Sequence, residues 1–285
     1  MASYPKKIFY IEGNIGSGKS TLVRHLRFLA RKKYQPTMRY TPFVEEGGFI
    51  YQIRKSLCSI YSSYMSSSYA SNNSYLYEDI YDYDENFDDS DDKECVSIMG
   101  KKIIFLEEPL NEWQKITDPT DGKNILQKFY ENQYKYAFAF QIMSLQTRSR
   151  QLLRAIEENP DAIIVSERSI YTDCNIFAKM LMDDGKIDPL EKEVYSLIFN
   201  DTCKILDGTI QKTIYLKSTP ENTFVKKCHR NRPGEESISI EYLKKCDTYH
   251  NNEFSNSDFI INIDEYPVDT PKYSRLLKKL IDFIN

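Results

Sequence analysis

The chain alternates short apolar runs with longer stretches in which apolar residues recur at helical spacing. Ile8-Phe9-Tyr10-Ile11 is the first apolar run, and after a glycine-rich turn Leu22, Leu26 and Leu29 repeat every three or four positions. That is a buried strand followed by an amphipathic helix. The same sequence of signals returns four more times. Residues 102–106 read as a short buried strand, and 125–158 as one long helix with Ile142, Leu145, Leu152 and Ile156 on its core face, ended by Asn159-Pro160. Residues 162–165 form a fully apolar strand, and a helix carrying Ile176, Phe177, Met180 and Leu181 stops at Asp183-Asp184-Gly185. Asp188-Pro189 opens a helix to about residue 203, with Asp at the cap and Pro in the first turn. Residues 213–216 are a strand, and Ser218-Thr219-Pro220-Glu221 launches a helix that reaches Arg230. Residues 240–254 predict a helix, 259–263 a last strand and 271–284 a closing helix. Five strands separated by helices, without hairpin signals, predict an α/β fold with a doubly wound five-stranded parallel sheet, a single domain over residues 1–285.

Composition alters this picture in one place. Residues 56–92 hold no Lys or Arg but seven Asp and two Glu, within a chain whose net charge is −4. This Ser-, Tyr- and Asp-rich stretch offers few aliphatic side chains and repels itself, so it is expected to be a flexible insertion. Residues 34–55 are expected to be mainly loop. The remainder is mildly basic, which suits a small anionic ligand and gives no sign of a nucleic-acid groove. The six cysteines (58, 95, 174, 203, 228 and 246) are scattered, without metal-like pairs. Reduced thiols and a cytoplasmic setting are the expectation, and no run is long enough to span a membrane.

The chemistry begins directly after the first strand. Gly13, Asn14, Ile15, Gly16, Ser17, Gly18, Lys19, Ser20 and Thr21 fit the phosphate-loop template in full. Backbone N–H groups between Gly13 and Gly18 can cradle a polyphosphate, Lys19 can reach its β/γ oxygens, and the Ser20 hydroxyl can take a Mg²⁺. The following helix aims its positive end at the anion. Phosphoryl transfer further needs a metal-side carboxylate, mobile-charge cations and a holder for the acceptor. Glu167 closes one apolar strand where a metal-side carboxylate belongs, and Arg168 follows it. Glu107 and Glu108 close another strand; alternation lets only one face the crevice, and Pro109 and a wall formed by Trp113 favour Glu108 as the proton acceptor. At about 100° per residue, Tyr130, Gln141 and Arg148 share one helical stripe, with Ser144 beside it, a line able to read a base edge and a sugar hydroxyl. Lys226, Lys227, Arg230 and Arg232 run into Pro233-Gly234-Glu235-Glu236, as in a lid (residues 226–237) that closes over phosphates.

Taken together these residues resemble the deoxyribonucleoside kinase family, in particular its deoxycytidine and deoxyguanosine kinases. The resemblance is carried by the phosphate loop, Glu108-Pro109 with Trp113 five residues beyond, the Tyr130/Gln141/Arg148 spacing, Glu167-Arg168-Ser169-Ile170-Tyr171-Thr172-Asp173, and the lid followed by Glu241-Tyr242-Leu243. It implies ATP-dependent phosphorylation of a deoxynucleoside 5′-hydroxyl for salvage, with ATP or another nucleoside triphosphate as donor and Mg²⁺. Glu108 would be the general base, Arg168 would steady it and the phosphoryl group, and Ser20 and Glu167 would lie on the metal. Gln141 would pair with the base, Tyr130 and Glu236 would hold the 3′-hydroxyl, Trp113 would pack the base and Phe177 would stack on it. Arg230 and Arg232 would be lid cations. The Arg148/Asp173 pair is the family's signature for deoxycytidine, deoxyadenosine or deoxyguanosine over thymidine. Kinship also implies a homodimer and end-product triphosphate inhibition. Lys226 stands where a lid arginine is usual, Cys174 replaces an arginine, and the 56–92 insertion has no counterpart.

Two other readings share the phosphate loop. A nucleoside monophosphate kinase would need extra cations for the acceptor phosphate. A GTPase-type switch or non-catalytic sensor would lack a use for the acceptor-side residues, and no Asn-Lys-x-Asp motif is present.

Overall fold

The computed structural model describes residues 6–32, 95–98 and 101–285. The expectations for 34–55 and for the 56–92 insertion therefore lie outside the described residues. Five parallel strands are present as predicted: β1 (Lys7–Gly13), β3 (Lys101–Leu106), β4 (Ile163–Glu167), β5 (Ile210–Lys217) and β6 (Phe259–Asn262). A sixth, β2 (Cys95–Ile98), pairs antiparallel with β3 and extends the sheet, giving the order β2-β3-β4-β1-β5-β6. Four residues without a long apolar run gave no strand signal in the sequence.

Alternation along the strands divides the core between two faces. Phe9, Ile11, Ile103, Phe105, Val165, Ile214 and Leu216 pack against Leu22 and Leu26 of α1 (Lys19–Lys32) and against Leu276 and Leu280 of the closing helix (Pro271–Ile284). Ile8, Tyr10, Ile104, Leu106 and Ile164 point the other way, onto the helices that carry Leu145, Leu152 and Tyr195. Each such aliphatic side chain, fully withdrawn from water, contributes about 1.5–3 kcal/mol before entropy is subtracted. Burial on both faces explains why these strands read as unbroken apolar runs.

The predicted single helix over 125–158 is two helices. After α2 (Leu110–Lys115) come α3 (Ile125–Glu131) and α4 (Gln133–Glu158), parted at Asn132, whose backbone is non-helical and whose side chain accepts a hydrogen bond from Lys135 N–H. An asparagine at a cap can end one helix and begin the next without Gly or Pro. Tyr130 therefore belongs to α3 and does not share a continuous stripe with Gln141 and Arg148.

Beyond β4 the chain makes α5 (Ile170–Thr172), a π-helical turn (Asp173–Ala178) and α6 (Lys179–Asp183). Next come α7 (Pro189–Cys203), α8 (Pro220–Arg230), α9 (Ile240–Glu253) and, closing the chain, α10 (Pro271–Ile284). Asp188 and Glu191 form a reciprocal cap on α7, and Thr219 caps α8 with Pro at its first position. No helix among the described residues is long and apolar enough to cross a membrane.

Candidate active site

The strand order sets β3, β4 and β1 side by side, so the chain segments leaving their C-terminal ends share one crevice. From β1 issues the phosphate loop. Gly13, Gly16 and Gly18 all have positive φ; a Cβ at Gly16 would lie 2.4 Å from the Thr223 carbonyl oxygen of α8. Glycine is required at Gly16 both by conformation and by this close approach. Asn14 ties the loop to α9, its side-chain N–H₂ donating to Leu243 O at 2.9 Å while its Oδ1 accepts from Ile15 N–H at 2.8 Å. Lys19 is buried and its Nζ donates to Gly13 O (2.9 Å) and Asn14 O (2.8 Å). Burial and the nearby Arg168 charge bring its ammonium down to about 7, so an arriving anion would favour the protonated form strongly.

From β4 comes Glu167, whose Oε1 accepts a hydrogen bond from the Ser20 hydroxyl at 2.8 Å. The two predicted metal-side groups thus meet at the mouth of the phosphate loop. Arg168 follows with φ +65°, a left-handed conformation uncommon for a non-glycine residue. Its N–H donates to Ile11 O (3.0 Å), its carbonyl accepts from Ser166 Oγ (2.9 Å), and its guanidinium sits 4.9 Å from the Phe177 ring centroid.

Glu107 and Glu108 diverge as strand alternation demands. Glu107 is 44% exposed and pairs with Arg27 of α1 at 2.9 Å, on the far face of the sheet. Glu108 turns into the crevice, with Arg148 at 3.4 Å and Arg168 and Arg232 each at 3.9 Å. Burial works to raise its pKa, but Arg168, Arg148, Lys19 and Arg232 outweigh it and hold the carboxyl down at about 2. Lys19 and Glu108 therefore lie close enough to act on each other's charge.

Arg148 is the hub on the α4 side. Its Nε donates to Asp173 at 2.8 Å, a second nitrogen to Glu167 O at 2.8 Å, and a third reaches Glu108. Ser144 donates to the other Asp173 oxygen at 3.0 Å. Arg148, Asp173 and Ser144 are all buried, and the π-helical turn presents both Asp173 and Phe177 to this cluster. Ser144 thus acts on Asp173. Gln141 is buried with its Oε1 unpartnered among the described residues. Such an oxygen is rare without a ligand or water to serve it.

The other predicted site residues lie as follows. Trp113 is buried in an edge-on contact with Phe140, its N–H donating to Thr147 at 2.9 Å. Phe177 carries the Arg168 guanidinium over its ring, 4.9 Å from the centroid, and meets His250 edge-on. Glu236 is exposed and folds back to accept Gly234 N–H at 2.7 Å. Its neighbour Glu235 is the buried carboxylate, ion-paired with Arg230 and, at 3.1 Å, with Arg232. Glu235 also acts electrostatically on the Tyr130 phenol, which Glu236 does not. Two adjacent glutamates in a turn carry no periodicity that would choose between them. Lys226 turns away to Asp264 (3.1 Å), whereas Lys227 is buried and donates to Ile238 O (3.2 Å), holding the lid turn.

The sequence also passed over His250 and Glu12, both buried completely. His250 uses one ring nitrogen on Cys246 O at 2.7 Å, and burial lowers its pKa to about 3, so it is neutral. Glu12, on the inward side of alternating β1, was readable only as part of the apolar run's end.

The family model described as deoxynucleoside kinase matches residues 93–284. A probable deoxycytidine kinase of fowlpox virus is 30% identical over 189 residues, covering 63% of this chain and 77% of the relative. The mitochondrial deoxyguanosine kinase of Xenopus laevis is 30% identical, over 51% of this chain and 61% of its own length. A deoxyadenosine kinase of Dictyostelium discoideum is 31% identical, over 54% and 62% respectively.

Proposed function

Because the chain belongs to the deoxynucleoside kinase family, we propose that the crevice around Glu108 transfers the γ-phosphoryl group of ATP to the 5′-hydroxyl of a deoxynucleoside. The carrying observation is Glu108 itself, turned toward the phosphate-loop lysine and fixed by three arginines. A carboxylate held near pKa 2 stays ionised at any working pH. It is a weak base in the ground state, and phosphoryl transfer through a loose transition state asks chiefly for orientation of the hydroxyl, with the proton leaving late. Arg168 and Arg232 stand where charge spreads over the moving group.

The donor set at the loop mouth suits Mg²⁺, a hard cation that takes oxygen ligands from one or two protein groups and the rest from phosphate and water. Ser20 and Glu167, 2.8 Å apart, would hold it. The ion would neutralise charge on the β- and γ-phosphate oxygens.

On the acceptor side Gln141 would pair with the base edge, satisfying its orphaned oxygen, and Tyr130 with Glu235 would bind the 3′-hydroxyl. Arg148, locked by Asp173, fills the space a thymine methyl would need and offers donors to an amino-bearing base. The preferred substrates are thus deoxycytidine, deoxyadenosine or deoxyguanosine. A nucleoside monophosphate acceptor fits poorly, since Arg148, Arg168 and Arg232 are already engaged with Asp173, Glu108 and Glu235. The protein is proposed to act as a homodimer: Leu190 (75% exposed), Val194 and Leu197 (65%) form an apolar stripe on α7 at i, i+4, i+7. A steady-state survey of the four deoxynucleosides with ATP and Mg²⁺ tests the base preference. Thymidine should have a kcat/KM at least about tenfold below the best substrate; thymidine as the best substrate would refute the Arg148 argument.

A further inference from the structure

Glu12 is a fully buried carboxyl group with no assigned part in the reaction, the penultimate residue of a strand whose other inward residues, Ile8 and Tyr10, are core. Both of its oxygens are committed to one short segment. Oε1 accepts the Ser169 N–H at 2.8 Å and Oε2 accepts the Thr172 hydroxyl at 2.6 Å. Ser169 in turn caps α5, its Oγ accepting Thr172 N–H at 3.2 Å. The residue immediately before this clamp is Arg168, at φ +65°.

A left-handed non-glycine residue persists only where its surroundings over-determine it. Three contacts do so here: Ile11 O takes the Arg168 N–H, Ser166 takes hold of its carbonyl, and Glu12 fixes the next peptide. The first two come from the strands themselves. Glu12 is the side chain that bridges from the phosphate-loop strand β1 to the turn that aims Arg168 at Glu108. An apolar residue would be the ordinary choice for that inward position. A buried carboxyl group costs desolvation, so this one persists only with both of its oxygens hydrogen-bonded, as they are to Ser169 N–H and the Thr172 hydroxyl.

We propose that Glu12 is a positioning residue of this kinase, which locks the Ser169–Thr172 turn and thereby holds Arg168 in its left-handed conformation over the reacting groups. It couples the strand that grips the phosphates to the cation that follows them. The inference rests on the kinase reading for its kinetic consequence, though not for its structural one.

The test uses Glu12→Gln and Thr172→Val in the full chain, the latter removing a single hydroxyl at nearly constant volume. Glu12→Gln should lower kcat by about tenfold or more, and Thr172→Val by about threefold, with KM for ATP changed less than about twofold. In an Arg168→Ala background, Glu12→Gln should change the residual kcat by less than about twofold, because the group it positions is gone. A crystal structure of Glu12→Gln should show Arg168 out of the left-handed region. Equal losses in both backgrounds, or a kcat within twofold of wild type with Arg168 still at positive φ, overturn the proposal. If Glu12→Gln does not fold, Thr172→Val decides on the same criteria. A wild-type protein without deoxynucleoside kinase activity would sink the kinase reading, while the position of Arg168 in the variant crystal would still decide this one.

Discussion

At the scale of single residues the site is a set of carboxylates and cations that hold each other in unusual states. Glu108 shows the consequence most plainly. Glu108→Gln removes the acceptor of the hydroxyl proton and is expected to lower kcat by about 10²- to 10⁴-fold while ATP binding, followed by titration calorimetry, persists. Its depressed pKa also makes a stability prediction. A carboxyl at about 2 when folded and 4.5 as its ordinary value contributes stability that is complete above pH 4.5 and lost as pH falls toward 2. Denaturant unfolding followed across that window should show a steeper loss in wild type than in Glu108→Gln. Lys19 has the opposite sign of coupling to ligand: lowered to about 7 in the free protein, it should take up a proton when a triphosphate binds above that pH. Calorimetry at pH 8 in buffers of different ionisation enthalpy measures this uptake, and none in wild type would contradict the assigned state. The sequence made Lys19, Glu108, Arg148 and Arg168 legible because each lies at a fixed offset from a strand end or motif. It left Glu12 and Glu235 hidden, since a carboxylate's value depends on what the fold brings against it from residues far away.

Among elements, the phosphate loop fits closely against α8. Gly16→Ala would meet the Thr223 carbonyl and adopt an unfavourable φ, with about 1–2 kcal/mol from conformation alone. ATP affinity should fall by at least about tenfold in that variant, measured by calorimetry; unaltered affinity would show that the loop does not grip the phosphates as drawn. The lid turn depends on buried Lys227, which reaches the Ile238 carbonyl. Helix boundaries were largely readable where a side chain caps the end, as at Asp188, Thr219 and Thr270. They were unreadable where the break is made by Asn132, a residue that interrupts a helix only when its side chain finds the next N–H. The edge strand β2 is too short for its own pattern and exists by pairing with β3.

For the whole molecule, the central position of β1, between β4 and β5, brings the triphosphate grip beside the strand ends that carry Glu167 and Arg168. Five apolar runs with no hairpin signals were enough to imply the parallel sheet: β1, β3 and β4 are buried on both faces, while the edge strand β6, with Ile260 exposed, was legible from its apolar residues alone. The α7 stripe predicts a dimer at assay concentrations by light scattering, and Leu197→Glu should shift it toward monomer. The most direct test of the account is the identity of the acceptor. ADP formation should be followed with ATP, Mg²⁺ and either deoxycytidine, deoxyadenosine and deoxyguanosine or their 5′-monophosphates, in wild type and Glu108→Gln. The account predicts turnover with at least one nucleoside, none with the monophosphates, and near abolition by the substitution. Turnover with the monophosphates alone, or activity indifferent to Glu108, would contradict it.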